Sequence, residues 1–231
     1  MKKLFSLLLI AILLCSVSAI AADNVLDAQI EVRHADLERT HYKLSLLAEG
    51  FSNYLKELGG DNSKLETIRS EFDSLKPKLL SDDTNAELNA DIAQAKTLID
   101  QFVVEYNTQL AAVNGDAGAG LIKALTFYGT HQAEVDALDA QYWAVNKENS
   151  LYIFDTNVKG AQDFIDWMST NGYDTTPLED ILDQIKSKRA DLESGLSAKN
   201  PVVVQGTVAA IGQLAQKFGQ TADSILKGGK P

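Results

Sequence analysis

Residues 51–81 recur, without a gap, 113 positions later in a chain of 231 residues, and nine of the 31 aligned positions are identical. The repeat restricts the fold because the matched residues are those that start, stop and pack helices. Phe51 aligns with Phe164, Tyr54 with Trp167 and Leu55 with Met168, giving both copies the same apolar stripe. Gly59 aligns with Gly172, where a helix would stop, because glycine enters the left-handed conformation of a C-terminal cap without a steric cost. Ser63-x-x-Glu66 aligns with Thr176-x-x-Glu179, a capping-box spacing that places Ser63 and Thr176 as N-caps. Pro177 then falls at the first helical position, which its fixed φ favours. These signals predict an all-α, elongated protein of two tandem antiparallel three-helix bundles that arose by internal duplication.

The rest of the chain carries the same period. Ile30, Leu37, Leu44, Phe51 and Leu58 follow one another at seven-residue steps, with Leu47, Tyr54 and Leu55 alongside. That is one stripe of a long helix over 24–58, ended by Gly59-Gly60. A shorter helix should run from Ser63 to about Leu80, with Pro77 bending it or ending it early. Thr84-Asn85-Ala86-Glu87 has the capping-box pattern again and opens a helix to Ala112. In the second half the helices are expected over 121–168, with a break near Gly129, then over 176–196 and 201–226. The units are therefore 22–113 and 121–231, and the Gly-rich segment 114–120 is expected as a flexible linker between them. A continuous coiled coil is the alternative, weakened by two stops in each half.

Residues 1–21 are read as a signal peptide. Lys2 and Lys3 precede an apolar run from Leu4 to Leu14, and Ala19-Ile20-Ala21 supplies small residues for cleavage after Ala21. An uncleaved anchor is the alternative, since Leu4 to Ala22 is about long enough to span a bilayer. Leu14 before Cys15 argues against a lipoprotein site. Cleavage predicts a secreted or envelope protein, periplasmic or extracellular, with no membrane span left in the mature chain. It removes the single cysteine, so disulfides, thiol nucleophiles, Cys-bound zinc and iron–sulfur clusters are excluded from the mature protein. It also takes the net charge from −11 to −13, because Lys2 and Lys3 are lost. Such an acidic chain is a poor match for phosphate backbones, which argues against nucleic acid as a partner. The absence of an Asn-x-Ser/Thr sequon leans towards a prokaryotic source.

Motifs that carry chemistry are few. The run Gly115-Asp116-Ala117-Gly118-Ala119-Gly120 approaches phosphate-loop spacing, but Leu121 stands where the lysine is required and no strand precedes it. No G-x-S-x-G elbow, H-E-x-x-H pair or EF-hand loop occurs. The sharpest polar feature is Glu31, His34, Glu38 and His41, which share one helix face and contain Glu-x-x-His twice. Di-iron helical bundles aim such pairs at one metal from two facing helices. Here both pairs lie on one helix, with the histidines about 10 Å apart along its axis, so the face is expected to be mostly solvent-exposed and to hold no structural metal.

The last helix is different. Ala209, Gly212, Ala215, Gly219 and Ala222 form a small-residue face, beside the larger stripe Ile211, Leu214, Phe218 and Ile225. Small residues admit a second helix backbone, and each glycine costs about 1 kcal/mol of helix propensity against alanine. The face reads either as the buried seam of its own bundle or as a docking surface. Aromatic residues gather as Phe127-Tyr128, Tyr142-Trp143, Tyr152 and Phe154, either as core or as the lining of an apolar groove. The expectation is an exported, non-enzymatic helical protein that acts through protein–protein contacts or self-association and uses no cofactor. The alternative is a small-ligand or metal carrier using the Glu31/His34/Glu38/His41 face or the aromatic groove.

Overall fold

A computed structural model of the protein describes residues 23–82 and 84–228, and every regular element among them is an α-helix. The leader reading for residues 1–21 lies outside the described residues. In chain order the helices are α1 (Asp23–Glu57), α2 (Ser63–Leu79), α3 (Asn85–Ala112), α4 (Ala117–Gly129), α5 (Gln132–Thr170), α6 (Thr176–Ser187), α7 (Arg189–Ser197) and α8 (Pro201–Gly228).

Helix α1 is the spine. Its 35 residues span about 52 Å. Along its C-terminal two thirds α2 runs antiparallel, with Glu49 paired to Arg69 and Glu38 to Lys76. Helix α3 turns back beside α2, pairing Glu105 with Lys64 at 2.6 Å. The three helices close on Leu55, Leu65, Phe72, Leu88, Phe102 and Leu110. Of the seven-residue stripe, Ile30 and Phe51 are buried and Leu37 and Leu44 pack at the edge of this core, but Leu58 is exposed beyond the last full turn.

The second half is built on α5. Helix α5 lies antiparallel to α6 and α7, with Asp155 on Arg189 and Lys147 on Glu193. Helix α8 returns along α6 and α7, and their side chains fill two adjoining clusters. One is centred on Phe154, Ile185 and Leu196, the other on Ile165, Met168, Leu178 and Leu182. The expected single helix over 176–196 is divided at Lys188, which ends α6 and caps α7. The two halves are joined along α1 and α5, which run antiparallel. Asp139 takes Lys43 at 2.6 Å and Arg39 at 3.2 Å, the Arg39 guanidinium lies 3.5 Å from the Tyr142 ring centre, and Asn149 donates to Glu31 at 3.0 Å.

The aligned corners share several backbone features. Gly59 and Gly172 both take positive φ, at 75° and 83°. The amide after each glycine closes the same wide turn, Gly60 to the Leu55 carbonyl at 3.0 Å and Tyr173 to that of Met168 at 3.1 Å. The capping differs from expectation. Ser63 and Thr176 are the first helical residues, and Asn62 and Thr175 hold the N-cap positions without a side-chain cap bond. The reason is an acid two residues upstream. Asp61 accepts from the Ser63 amide at 3.0 Å and Asp174 from the Thr176 amide at 3.1 Å. That bond satisfies an orphan donor of the first turn and draws the helix start one residue earlier. Thr84 does cap α3, accepting from the Glu87 amide at 3.2 Å while its hydroxyl donates to the Glu87 carboxylate at 2.7 Å.

The Gly-rich segment is not a loose connector. Asn114, at φ 50°, and Gly115 close the end of α3, and Asp116 caps α4 through the Ala119 amide at 2.7 Å. Helix α4 then lies flat on α1, with Lys123 paired to Glu57 at 2.8 Å. The break expected near Gly129 is present, at Thr130-His131, so α4 packs with the first unit while α5 builds the second.

Candidate functional site

The Glu/His face of α1 was expected in solvent, and the structure corrects that in part. His41 is buried, with 6% of its surface exposed. Its ring lies parallel to the Phe72 ring, 4.3 Å between centres, and Nε2 stands 3.0 Å from the Phe72 carbonyl. A carbonyl accepts only, so the proton is on Nε2. His34, two turns earlier, makes the same kind of bond to the Asp82 carbonyl at 3.0 Å. Both histidines therefore tie α1 to the backbone of α2 and the turn that follows it. The burial has a simple origin: α2 lies along the α1 face that carries His34, Glu38 and His41. Glu38 is taken by Lys76 at 3.1 Å, and Glu31 faces α5.

These partners decide what the face can do. A metal needs a free imidazole nitrogen and converging carboxylates. Here each Nε2 is spent on a carbonyl, and the two glutamates lean towards different helices. Among the described residues no three His, Cys, Asp or Glu side chains converge to hold a metal ion. Near His34, Asp82 has its carboxyl held above the ordinary range, first by burial and then by the negative charges of Asp91 and Glu87.

A cavity of about 40 Å³ adjoins His41, lined by Leu37, Leu44, Phe72, Leu79, Ile92 and Ile99 among others. That is room for little more than a water molecule, far below an ordinary ligand pocket. The aromatic residues do not line a common groove. Phe154 is core, Tyr142 sits at the α1–α5 seam under Arg39, and Tyr152 is exposed.

The small-residue face of α8 is the other candidate. Ala222 is buried in its own bundle, whereas Ala209, Gly212, Ala215 and Gly219 face solvent. A Cβ placed on Gly206, Gly212 or Gly219 would meet nothing within 4 Å. Close packing inside the chain therefore does not account for these glycines. From Pro201 to Gln216 the helix carries no ionisable side chain, and Val202 and Val203 are exposed at its start. The start itself is built firmly, since Asn200 accepts from the amides of Val202 and Val203 at 3.1 and 3.2 Å, with Pro201 at the first position. Sequence periodicity identified this face but not its direction. The adjacent stripe, Ile211, Leu214 and Phe218, is the one that packs on the core.

No family model matches the chain, and no curated protein and no solved structure is similar enough to count as a match. The class defined by the fold is an all-α helical bundle. No helix among the described residues is long and apolar enough to cross a membrane.

Proposed function

We propose that this is an exported, non-enzymatic helical protein that acts through protein–protein contact, in the cell envelope or outside the cell, with the solvent face of α8 as its docking surface. The observation that carries the reading is the pair Gly212 and Gly219, seven residues apart on one face of α8. Two glycines in one helix cost about 2 kcal/mol in propensity, and nothing within the chain touches the space they leave. A partner helix approaching closely is the arrangement that recovers such a cost. The bound partner is a protein helix or a second copy, since the face is uncharged while the chain as a whole repels polyanions.

The two bundles are read as products of a duplication. Supporting this are the shared offset of 113 residues, the paired glycines at positive φ, the paired Asp61 and Asp174 caps, and the equal burial of Leu65 and Leu178. The leader over 1–21 supports export.

Native mass spectrometry of the protein from its source tests the function. The expected result is a homo-oligomer or a defined protein complex that Gly212→Leu with Gly219→Leu dissociates. A monomer carrying a stoichiometric small molecule or metal would overturn it.

A further inference from the structure

Histidine 41 stands where α1, α2 and α3 meet, beside the small apolar cavity. Phe72 supplies both a ring face at 4.3 Å and the carbonyl that takes Nε2–H at 3.0 Å. Leu37, Leu44, Leu79, Ile92 and Ile99 line the adjoining cavity. The charged groups around it come from all three helices. From α2, Asp73 lies 3.9 Å from Nε2 and also accepts from Ser45, and Lys76 stands one turn on. From α3, Lys96 reaches the cavity wall. From α1, Glu38 is already held by Lys76.

The strip of α2 that His41 grips is locally weak. Pro77 lies inside the helix and has no N–H to donate to the Asp73 carbonyl, four residues earlier. One rung is missing at the turn where His41 bonds, and the imidazole supplies a tie from outside. His34 adds a second tie at the Asp82 carbonyl, beyond the end of α2.

We propose that His41 is an acid-sensitive latch, whose protonation loosens α2 from α1 and α3 and opens the apolar seam between them. With the proton on Nε2 the neutral ring satisfies Phe72 and leaves no charge in the cavity. Adding a proton to Nδ1 puts a full positive charge on a buried ring beside the apolar cavity, where the cost of desolvation outweighs the attraction of Asp73 at 3.9 Å. Burial therefore holds the His41 pKa below its ordinary value, against the Phe72 carbonyl and Asp73, which favour the cation, and with Lys76, which opposes it. The sign follows. The open form binds a proton near the ordinary histidine pKa while the closed form does not, so the closed form loses ground as pH falls below about 6.5.

Amide hydrogen exchange and an NMR titration of the imidazoles, both on the whole chain, test this. The His41 ring should titrate below about 6.5. Corrected for intrinsic chemistry, the amides of Phe72 to Lys76, Lys78 and Leu79 should exchange faster near pH 5 than near pH 7.5, since the proton that the open form binds more tightly shifts the opening equilibrium. His41→Gln keeps a donor for the Phe72 carbonyl and cannot titrate, so it should abolish the acceleration, while His34→Gln should retain it. A His41 pKa at or above about 6.5, equal exchange at both pH values, or undiminished acceleration in His41→Gln would each overturn the proposal. The first two need no variant, so a misfolded substitution does not decide the outcome.

Discussion

Gly50 on α1 and Ala124 on α4 touch through their backbones: a Cβ on Gly50 would stand 2.6 Å from the Ala124 Cα. One turn further along α1, Gly120 approaches Tyr54 and Tyr106, and a Cβ there would meet the Tyr106 hydroxyl at 2.1 Å. The α1–α4 seam is thus set by absent side chains. Gly50→Ala should destabilise the protein by about 1–3 kcal/mol, because the neighbour is backbone and cannot move aside. Urea unfolding measures this, and a neutral Gly50→Ala would mean that α4 does not lie where the structure puts it.

The glycines of α8 should behave in the opposite way. Gly212→Ala and Gly219→Ala have open space around them, so each should stabilise the isolated chain by about 0.4–1 kcal/mol. A loss of stability in both variants would show that the face is already occupied within the chain.

Helix capping gives a comparison within one molecule. Thr84→Ala removes a working cap and should cost about 0.5–2 kcal/mol. Ser63→Ala and Thr176→Ala should stay within about 0.5 kcal/mol, since both are first helical residues and not N-caps, and the first-turn amide is taken by the Asp61 or Asp174 carboxylate. Thermal or urea unfolding of the three variants decides it, and equal costs would restore Ser63 and Thr176 as caps.

Tyr106 is buried and its hydroxyl has no hydrogen-bond partner in the structure. Burial, with a smaller contribution from Tyr54, pushes its pKa up to about 12. The unfolded chain ionises near 10, so stability should be unaffected below that value and fall as pH rises from about 10 to 12. Tyr106→Phe should remove this alkaline component and be neutral or stabilising at pH near 7, because it deletes an unpaired buried hydroxyl. Urea unfolding across that pH range, with and without the substitution, measures both effects. A large loss in Tyr106→Phe at neutral pH would reveal a partner for the hydroxyl.

The helices were legible because their signals are local. Gly59 and Gly172 stop helices through their own backbone freedom, and Thr84 caps through an atom three residues from its target. The one-residue error at Ser63 and Thr176 has a local cause too. Asp61 and Asp174 compete for the first amide, and spacing alone does not rank a Ser cap against an Asp two residues earlier. The Glu/His face was misread at His41 because its polar residues suggested solvent, while a histidine with one carbonyl partner sits comfortably in a core.

By itself the sequence determined the helical class and most helix starts and stops, because periodicity, caps and stops act within a few residues. Only the tertiary structure decided that Gly115–Gly120 ends one helix and begins another instead of swinging free, and that α4 belongs against α1. It also decided that α8 turns Ala209, Gly212, Ala215 and Gly219 outward and its Ile–Leu–Phe stripe inward. The physical reason is common to all three. A glycine or alanine is equally suited to a flexible link, a close helix contact or an open face, and the choice depends on which distant surface arrives at that position.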